Sequence, residues 1–174
     1  ARLMHDGVAP VWASVVAGVL VGLGCGLVSG LLVTRGKIPP FIVTLGMMMV
    51  ARGATLLVSK GISISNLPAS FAYLGGAKGW WIPVSITVVL AAAASVMLAF
   101  TRLGRALYAT GGNLVSARLS GIRVDAVRIT AYALCGTLAG FAGVMLASRT
   151  SIASPTAAEG MELDTIAACV IGGA

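Results

Sequence analysis

Uncharged apolar runs recur along the chain at lengths that match a bilayer. Val11 to Val33 holds 23 residues without a charge, about 34 Å of helix at 1.5 Å per residue, enough to cross the hydrocarbon core with some tilt. Thr34-Arg35-Gly36-Lys37-Ile38-Pro39-Pro40 follows. Its basic pair marks an interface, and its prolines end one helix and suit the first turn of the next. A second span is predicted over Phe41 to Val58, apolar except for Arg52. Ser59 to Gly79, rich in Gly and Ser and carrying Pro68, is too broken to span and reads as an exposed loop with room for a short surface helix. Trp80 to Phe100 is uncharged and opens on an interfacial Trp80-Trp81 anchor, which makes a third span. A fourth is predicted over Ile129 to Ala147. A fifth apolar segment begins at Ile166 and reaches the last residue, Ala174. The fold class expected is all-α: a polytopic transmembrane bundle of four full spans plus the start of a fifth. Residues 1–174 then form part of a single membrane domain.

Composition supports the bilayer as solvent. Hydrophobic residues make up 58% of the 174 and charged ones 10%, with a mean hydropathy of +1.00; an ordinary soluble domain carries about 25% charge. With no initiator Met at Ala1 and its last residue inside an apolar run, the chain reads as an excerpt of a longer polypeptide.

The net charge of +7 does not point to nucleic acid, because the basic residues are dispersed between apolar stretches and form no aromatic-interleaved platform. It does report topology. Residues 101–128 carry Arg102, Arg105, Arg118, Arg123 and Arg128 against one acid, Asp125, which places this loop in the cytoplasm by the positive-inside rule. The 34–40 segment then lies inside as well, and 1–10, 59–79 and 149–165 lie outside.

Small residues suggest how the spans pack. Gly18, Gly22, Gly26 and Gly30 recur every four residues, and Gly136 and Gly140 repeat the device in the fourth span. Such a face lets another backbone approach closely, a packing seam that suits a transporter and equally any polytopic protein. Cys25, Cys135 and Cys169 lie in apolar runs without metal-ligand spacing and read as buried, inert thiols.

Chemistry is sparse. Gly24-Cys25-Gly26 sits inside an apolar run and lacks the third glycine of a dinucleotide fingerprint; Gly36-Lys37 has the wrong surroundings for a phosphate loop. If ATP drives this protein, another subunit binds it. His5, the one histidine, reads as a surface residue. Arg52 is costly inside an apolar segment; it must face protein, water or an interface, in a translocation path or in a structural role. Phe41 and Thr44 either line a path or pack. Glu159, Glu162 and Asp164 read as a solvated or gate-lining loop, with general acid–base chemistry in a membrane-embedded enzyme as the rival reading. An ion-coupled secondary transporter would place ionisable residues in several spans, and only Arg52 is available.

The most informative local pattern is Gly111-Gly112-Asn113-Leu114-Val115-Ser116-Ala117-Arg118-Leu119-Ser120-Gly121. Asn113 suits an N-cap and Gly121 the C′ position, leaving a two-turn helix between them. So short a helix needs a surface to pack on. Leu114, Val115 and Leu119 with cationic Arg118 fit a groove on another protein, or the surface of the chain's own membrane domain.

The chain resembles the permease subunits of ribose-type ABC importers from about Gly30 to its last residue. The resemblance is densest in Thr101-Arg102-Leu103-Gly104-Arg105-Ala106-Leu107-Tyr108-Ala109-Thr110-Gly111-Gly112-Asn113 and in Ala117-Arg118-Leu119-Ser120-Gly121-Ile122. It resumes at Pro155-Thr156-Ala157, at Glu162-Leu163-Asp164-Thr165-Ile166-Ala167-Ala168 and at Gly172-Gly173, and includes Phe41-Ile42-Val43-Thr44-Leu45-Gly46 after the proline pair. It implies that Asn113 to Gly121 is a coupling helix seated in a cleft of a cytoplasmic ATPase. Leu114-Val115-Ser116 stands where the family usually has Glu-Ala-Ala, which removes an acidic contact. The resemblance further implies a bacterial inner membrane, a sugar delivered by an extracytoplasmic binding protein, a dimer of permeases with two ATPase domains, and ATP and magnesium held by the ATPase, with no cofactor, metal or catalytic site in this chain.

Overall fold

The computed structural model describes residues 10–65, 69–73, 75–76 and 79–172; His5 and Pro68 lie outside the described residues. The chain is helical, in the order α1 (Val11–Thr34), α2 (Pro40–Ser59), α3 (Ala69–Ala72), α4 (Trp81–Phe100), α5 (Arg102–Gly112), α6 (Leu114–Leu119), α7 (Val124–Thr150) and α8 (Met161–Ile171). Four of these, α1, α2, α4 and α7, are long and apolar enough to cross a membrane. Their outward faces carry large apolar side chains such as Leu20, Val50, Leu57 and Val89, all well exposed. That surface is unfavourable in water and appropriate against lipid, where helices satisfy their own backbone. The protein is an all-α, multi-pass membrane protein.

Each start and stop has a local cause. Pro39 and Pro40 occupy the N-cap and first position of α2, where a missing N–H costs nothing. α2 ends at Lys60 and Gly61, both with positive φ. Trp80 and Trp81 stack at 4.2 Å between ring centroids at the start of α4, and both stay exposed, as an interfacial anchor should. Hydroxyls inside the spans donate to their own helix: Ser29 Oγ to the Cys25 carbonyl at 2.9 Å and Thr137 Oγ1 to that of Ala133 at 2.7 Å. Such back-bonding removes the cost of a free donor in hydrocarbon.

The core of the structure is an antiparallel pair, α1 against α7, by far its most extensive helix contact. The four α1 glycines form the seam. A Cβ on Gly18 would sit 2.9 Å from Val144 Cγ2; on Gly22 it would meet the Gly136 carbonyl and Gly140; on Gly26, the Tyr132 carbonyl; on Gly30, Ile129 at 3.1 Å. Reciprocally, a Cβ on Gly136 would meet the Gly22 carbonyl, and one on Gly140 would lie 2.9 Å from the Gly18 carbonyl. The two G-x-x-x-G repeats are therefore halves of one seam in which backbone touches backbone.

The ends of this pair gather 34–40 with 101–128 and 59–79 with 149–165, as the charge bias groups them, while residues 1–9 lie outside the described residues. At one end Thr34 and Arg35 share a cavity with Arg118, Arg123 and Ile129. At the other, Ile64 and Ala153 exchange both backbone hydrogen bonds, at 3.0 and 2.9 Å, and buried Ser148 donates from Oγ to the Phe71 carbonyl at 2.6 Å.

Several expectations change. The 59–79 interval is not simply an exposed loop: Phe71, in the single turn α3, is 3% exposed, and a Cβ on Gly75 would collide with the Ser148 and Arg149 backbone. The 101–128 stretch holds α5 and the first turn of α7 as well as the short helix. α7 starts and α8 begins earlier than hydropathy suggested, because Val124 to Arg128 and Met161 to Thr165 keep helical hydrogen bonding beyond the apolar run. Cys135 and Cys169 are exposed on the outward faces of their helices, not buried, while Cys25 is partly covered.

Candidate functional site

The 101–122 segment is built from two capped helices. Thr101 caps α5: its hydroxyl accepts from the Gly104 amide at 3.1 Å and donates to the Met97 carbonyl at 2.6 Å, so one side chain joins the end of α4 to the start of α5. Gly104 is required here, because a Cβ would run into the Leu98 backbone. Arg105 adds a hydrogen bond from its guanidinium to the Phe100 carbonyl at 3.4 Å.

Asn113 then begins α6 in extended conformation, φ −153° and ψ 111°. Its Oδ1 accepts from the amides of Val115 and Ser116 at 3.0 and 3.1 Å, the geometry of a strong N-cap. At the other end the Gly121 amide donates to the Arg118 carbonyl and the Ile122 amide to that of Ala117, with Gly121 at φ +79°. This is a Schellman closure, in which glycine takes the left-handed position without strain. Replacing Asn113 with Ala will destabilise α6 by about 1 kcal/mol; hydrogen exchange at the Val115 and Ser116 amides will quicken about fivefold. Unchanged protection there would mean that tertiary packing, not the cap, holds the helix.

α6 is oriented by one small residue. Ala117 is 3% exposed and faces the bundle, whereas Val115 and Leu119 are 68% and 84% exposed, on the same face as Arg118. Leu114 is half-buried. Val115 and Leu119 thus leave two branched aliphatics uncovered on the outward side of a six-residue helix. Arg118 Nη2 lies 3.7 Å from Asp125 Oδ1 in an exposed pair, which ties α6 to the first turn of α7.

The other candidates divide into two groups. Phe41 and Thr44 lie in the first turns of α2, both exposed; the Thr44 hydroxyl donates to the Pro40 and Phe41 carbonyls, each at 3.1 Å, so it is engaged within its own helix. Arg52 lies about 16 Å beyond Phe41 along α2 and within about 20° of its direction. Its Nη1 is 3.6 Å from Glu159 Oε1, with the side chains 30% and 54% exposed. Glu162 and Asp164 do not join it. They occupy the first turn of α8, where negative charge complements the helix dipole, and Glu162 Oε2 accepts from the Gly160 amide at 3.0 Å. The partner of Arg52 is thus Glu159, singled out in the sequence only as one of three acids. No signal 107 residues away in the chain identifies that pairing. Among the described residues no group of His, Cys, Asp or Glu is arranged to hold a metal.

Comparison with known proteins agrees with this architecture. The family described as "Branched-chain amino acid transport system / permease component" matches residues 1–174. The ribose import permease protein of Escherichia coli (strain K12) is 41% identical over 169 residues, 92% of this chain and 52% of that protein. The corresponding protein of Bacillus subtilis (strain 168) is 44% identical over 177 residues, covering 99% and 55%. An L-arabinose ABC transporter permease protein of Azospirillum brasilense is 40% identical over 161 residues, covering 91% and 48%. The chain spans about half the length of these relatives. No solved structure matches it significantly. With the family's match running the whole length of a helical membrane bundle, the chain belongs to the branched-chain amino acid transport system / permease component family, alongside the ribose-type ABC permeases.

Proposed function

We propose that the chain is part of the membrane-spanning permease of an ATP-driven importer for a small sugar, ribose or a related monosaccharide, in a bacterial inner membrane. The 101–128 end faces the cytoplasm. α6 is the coupling helix, with Asn113, Leu114, Val115, Arg118, Leu119 and Gly121 its essential residues, and it docks in a cleft of a separate ATPase that holds the ATP and magnesium. An extracytoplasmic binding protein delivers the sugar, and a second permease copy completes the path. Phe41 and Arg52, on one face of α2 with Thr44 beside them, contribute to that path. Arg52 with Glu159, and the acidic start of α8 at Glu162 and Asp164, belong to its outer gate. This chain carries out no covalent chemistry.

The observation that supports the reading most is α6: a helix closed at both ends by its own caps, anchored inward by Ala117, with Val115 and Leu119 presented outward. A rigid, doubly capped element transmits a push where a frayed one would absorb it, and α6 contacts both α5 and α7, so displacement reaches two parts of the bundle. The Glu162 carboxylate is engaged at the α8 N-terminus, which favours transport over a hydrolytic role for the acidic loop.

Leu119→Gln tests the proposal more cleanly than a change at Arg118, whose pairing with Asp125 would also be lost. Leu119 is 84% exposed, so the fold will be unaffected while the buried area of the docked state falls. In proteoliposomes with the full-length permease, ATPase and binding protein, the variant's apparent affinity for the ATPase will drop about tenfold. Sugar-stimulated hydrolysis and uptake will fall together. Retention of both at wild-type ATPase concentrations would overturn the assignment of α6.

A further inference from the structure

We propose that the basic cavity between the end of α1, α6 and the start of α7 binds the anionic phosphodiester headgroup of an inner-leaflet phospholipid. The proposal rests on the cytoplasmic placement of this end. The cavity, about 490 Å³, is lined by Arg35, Arg118 and Arg123. Asp125, the one acid in its wall, is paired with Arg118; among the described residues Arg35 and Arg123 have no acidic partner. The cavity therefore carries two uncompensated positive charges. α7 also begins here without a side-chain cap; its first amide, Val124, donates to the Ile122 carbonyl at 2.9 Å, and the Asp125 and Ala126 amides that follow add to the favourable field for a phosphate.

The rest of the lining indicates an amphiphile. Ile122, Val124 and Ile129 line the same cavity, Ile129 within the α7 span, and the arginines lie at the level where two membrane-crossing helices end. A soluble anion would use the arginines and leave Ile122 and Ile129 partly uncovered; a phospholipid uses both. Basic pockets at the cytoplasmic ends of spanning helices suit anionic headgroups for this reason. Arg118 is the residue that α6 contributes, so an occupied cavity would bind the short helix to the membrane face and hold it in register with α1 and α7.

The test uses the full-length permease–ATPase complex, delipidated in detergent and titrated separately with phosphatidylglycerol, phosphatidylcholine and inorganic phosphate, with bound lipid counted by native mass spectrometry. Wild type will retain phosphatidylglycerol about tenfold more tightly than phosphatidylcholine. The Arg35→Gln/Arg123→Gln variant will lose that preference, whereas Arg102→Gln/Arg105→Gln, equally cationic residues outside the cavity, will keep it. Equal retention by the two double variants would overturn the proposal. Displacement of the lipid by inorganic phosphate at matched concentration would overturn the lipid assignment in favour of a free anion. If the double variant elutes as an aggregate, Arg35→Gln and Arg123→Gln singly must each weaken retention for the proposal to stand. Lipid retention requires no ATP turnover, so failure of α6 as a coupling helix would leave this readout intact.

Discussion

A valine at Gly22 will separate α1 from α7 and unfold the bundle. A Cβ at this position meets the Gly136 carbonyl and the Gly140 backbone. Backbone cannot rotate aside as a side chain does, so the helices must move apart by about 1 Å or more to restore ordinary contact. The stability of membrane helix pairs comes from close packing, because lipid supplies no hydrophobic drive to bring apolar helices together. Opening the seam thus removes the contacts that hold the structure's principal interface. The expected destabilisation is about 3 kcal/mol, read as loss of the monodisperse peak of the full-length permease in detergent and as early thermal aggregation. Gly24→Val is the control. The same helix and the same residue change are involved, but a Cβ at Gly24 has nothing within 4 Å, so its effect will stay within about 0.5 kcal/mol. Equal damage from both substitutions would show that β-branching in the helix, not the seam, is what matters.

The second large effect is expected at the opposite end, at Gly75. Here the loop after α3 lies directly on the end of α7, where a Cβ would collide with the backbone of Ser148 and Arg149. Beside it, Ser148 is 1% exposed and donates to the Phe71 carbonyl. Gly75→Val will lift the loop off α7 and break that buried hydrogen bond, leaving a carbonyl without its partner. Overpacking and the orphaned acceptor together amount to about 2 to 4 kcal/mol. The measurable result is local before it is global: limited proteolysis of the full-length permease in detergent will cut beside Gly75 about tenfold faster than in wild type. A variant as resistant as wild type would mean that the Ile64–Ala153 backbone pairing holds the loop without the Gly75 contact.

These two sites differ in how much of them is legible along the chain. The α1 seam is visible as a period of four, and the same spacing recurs at Gly136 and Gly140, because close helix approach has a strict compositional requirement; that the two sets face each other is seen only in the structure. The spans follow from apolar length, since in hydrocarbon a segment must satisfy its own backbone. The caps of α6 follow from Asn113 and Gly121, whose preferences are local. In contrast Gly75, Phe71 and Ser148 read as ordinary loop and helix residues. Their importance arises from contacts across more than seventy residues, which no local propensity encodes.

The sequence by itself determined the all-α membrane class, the placement of the spans, the sharing of loops between two faces by charge, and the short capped helix at 114–119. Each of these depends on the chain's interaction with its solvent or with residues a few positions away. Only the tertiary structure decided that Arg52 meets Glu159 and not Glu162 or Asp164, that Ala117 turns inward so that Val115 and Leu119 face out, and that Arg35, Arg118 and Arg123 converge on one cavity. Side-chain partners are chosen by how the helices rotate and cross, and that rotation is set by a backbone seam whose register is a property of two helices together.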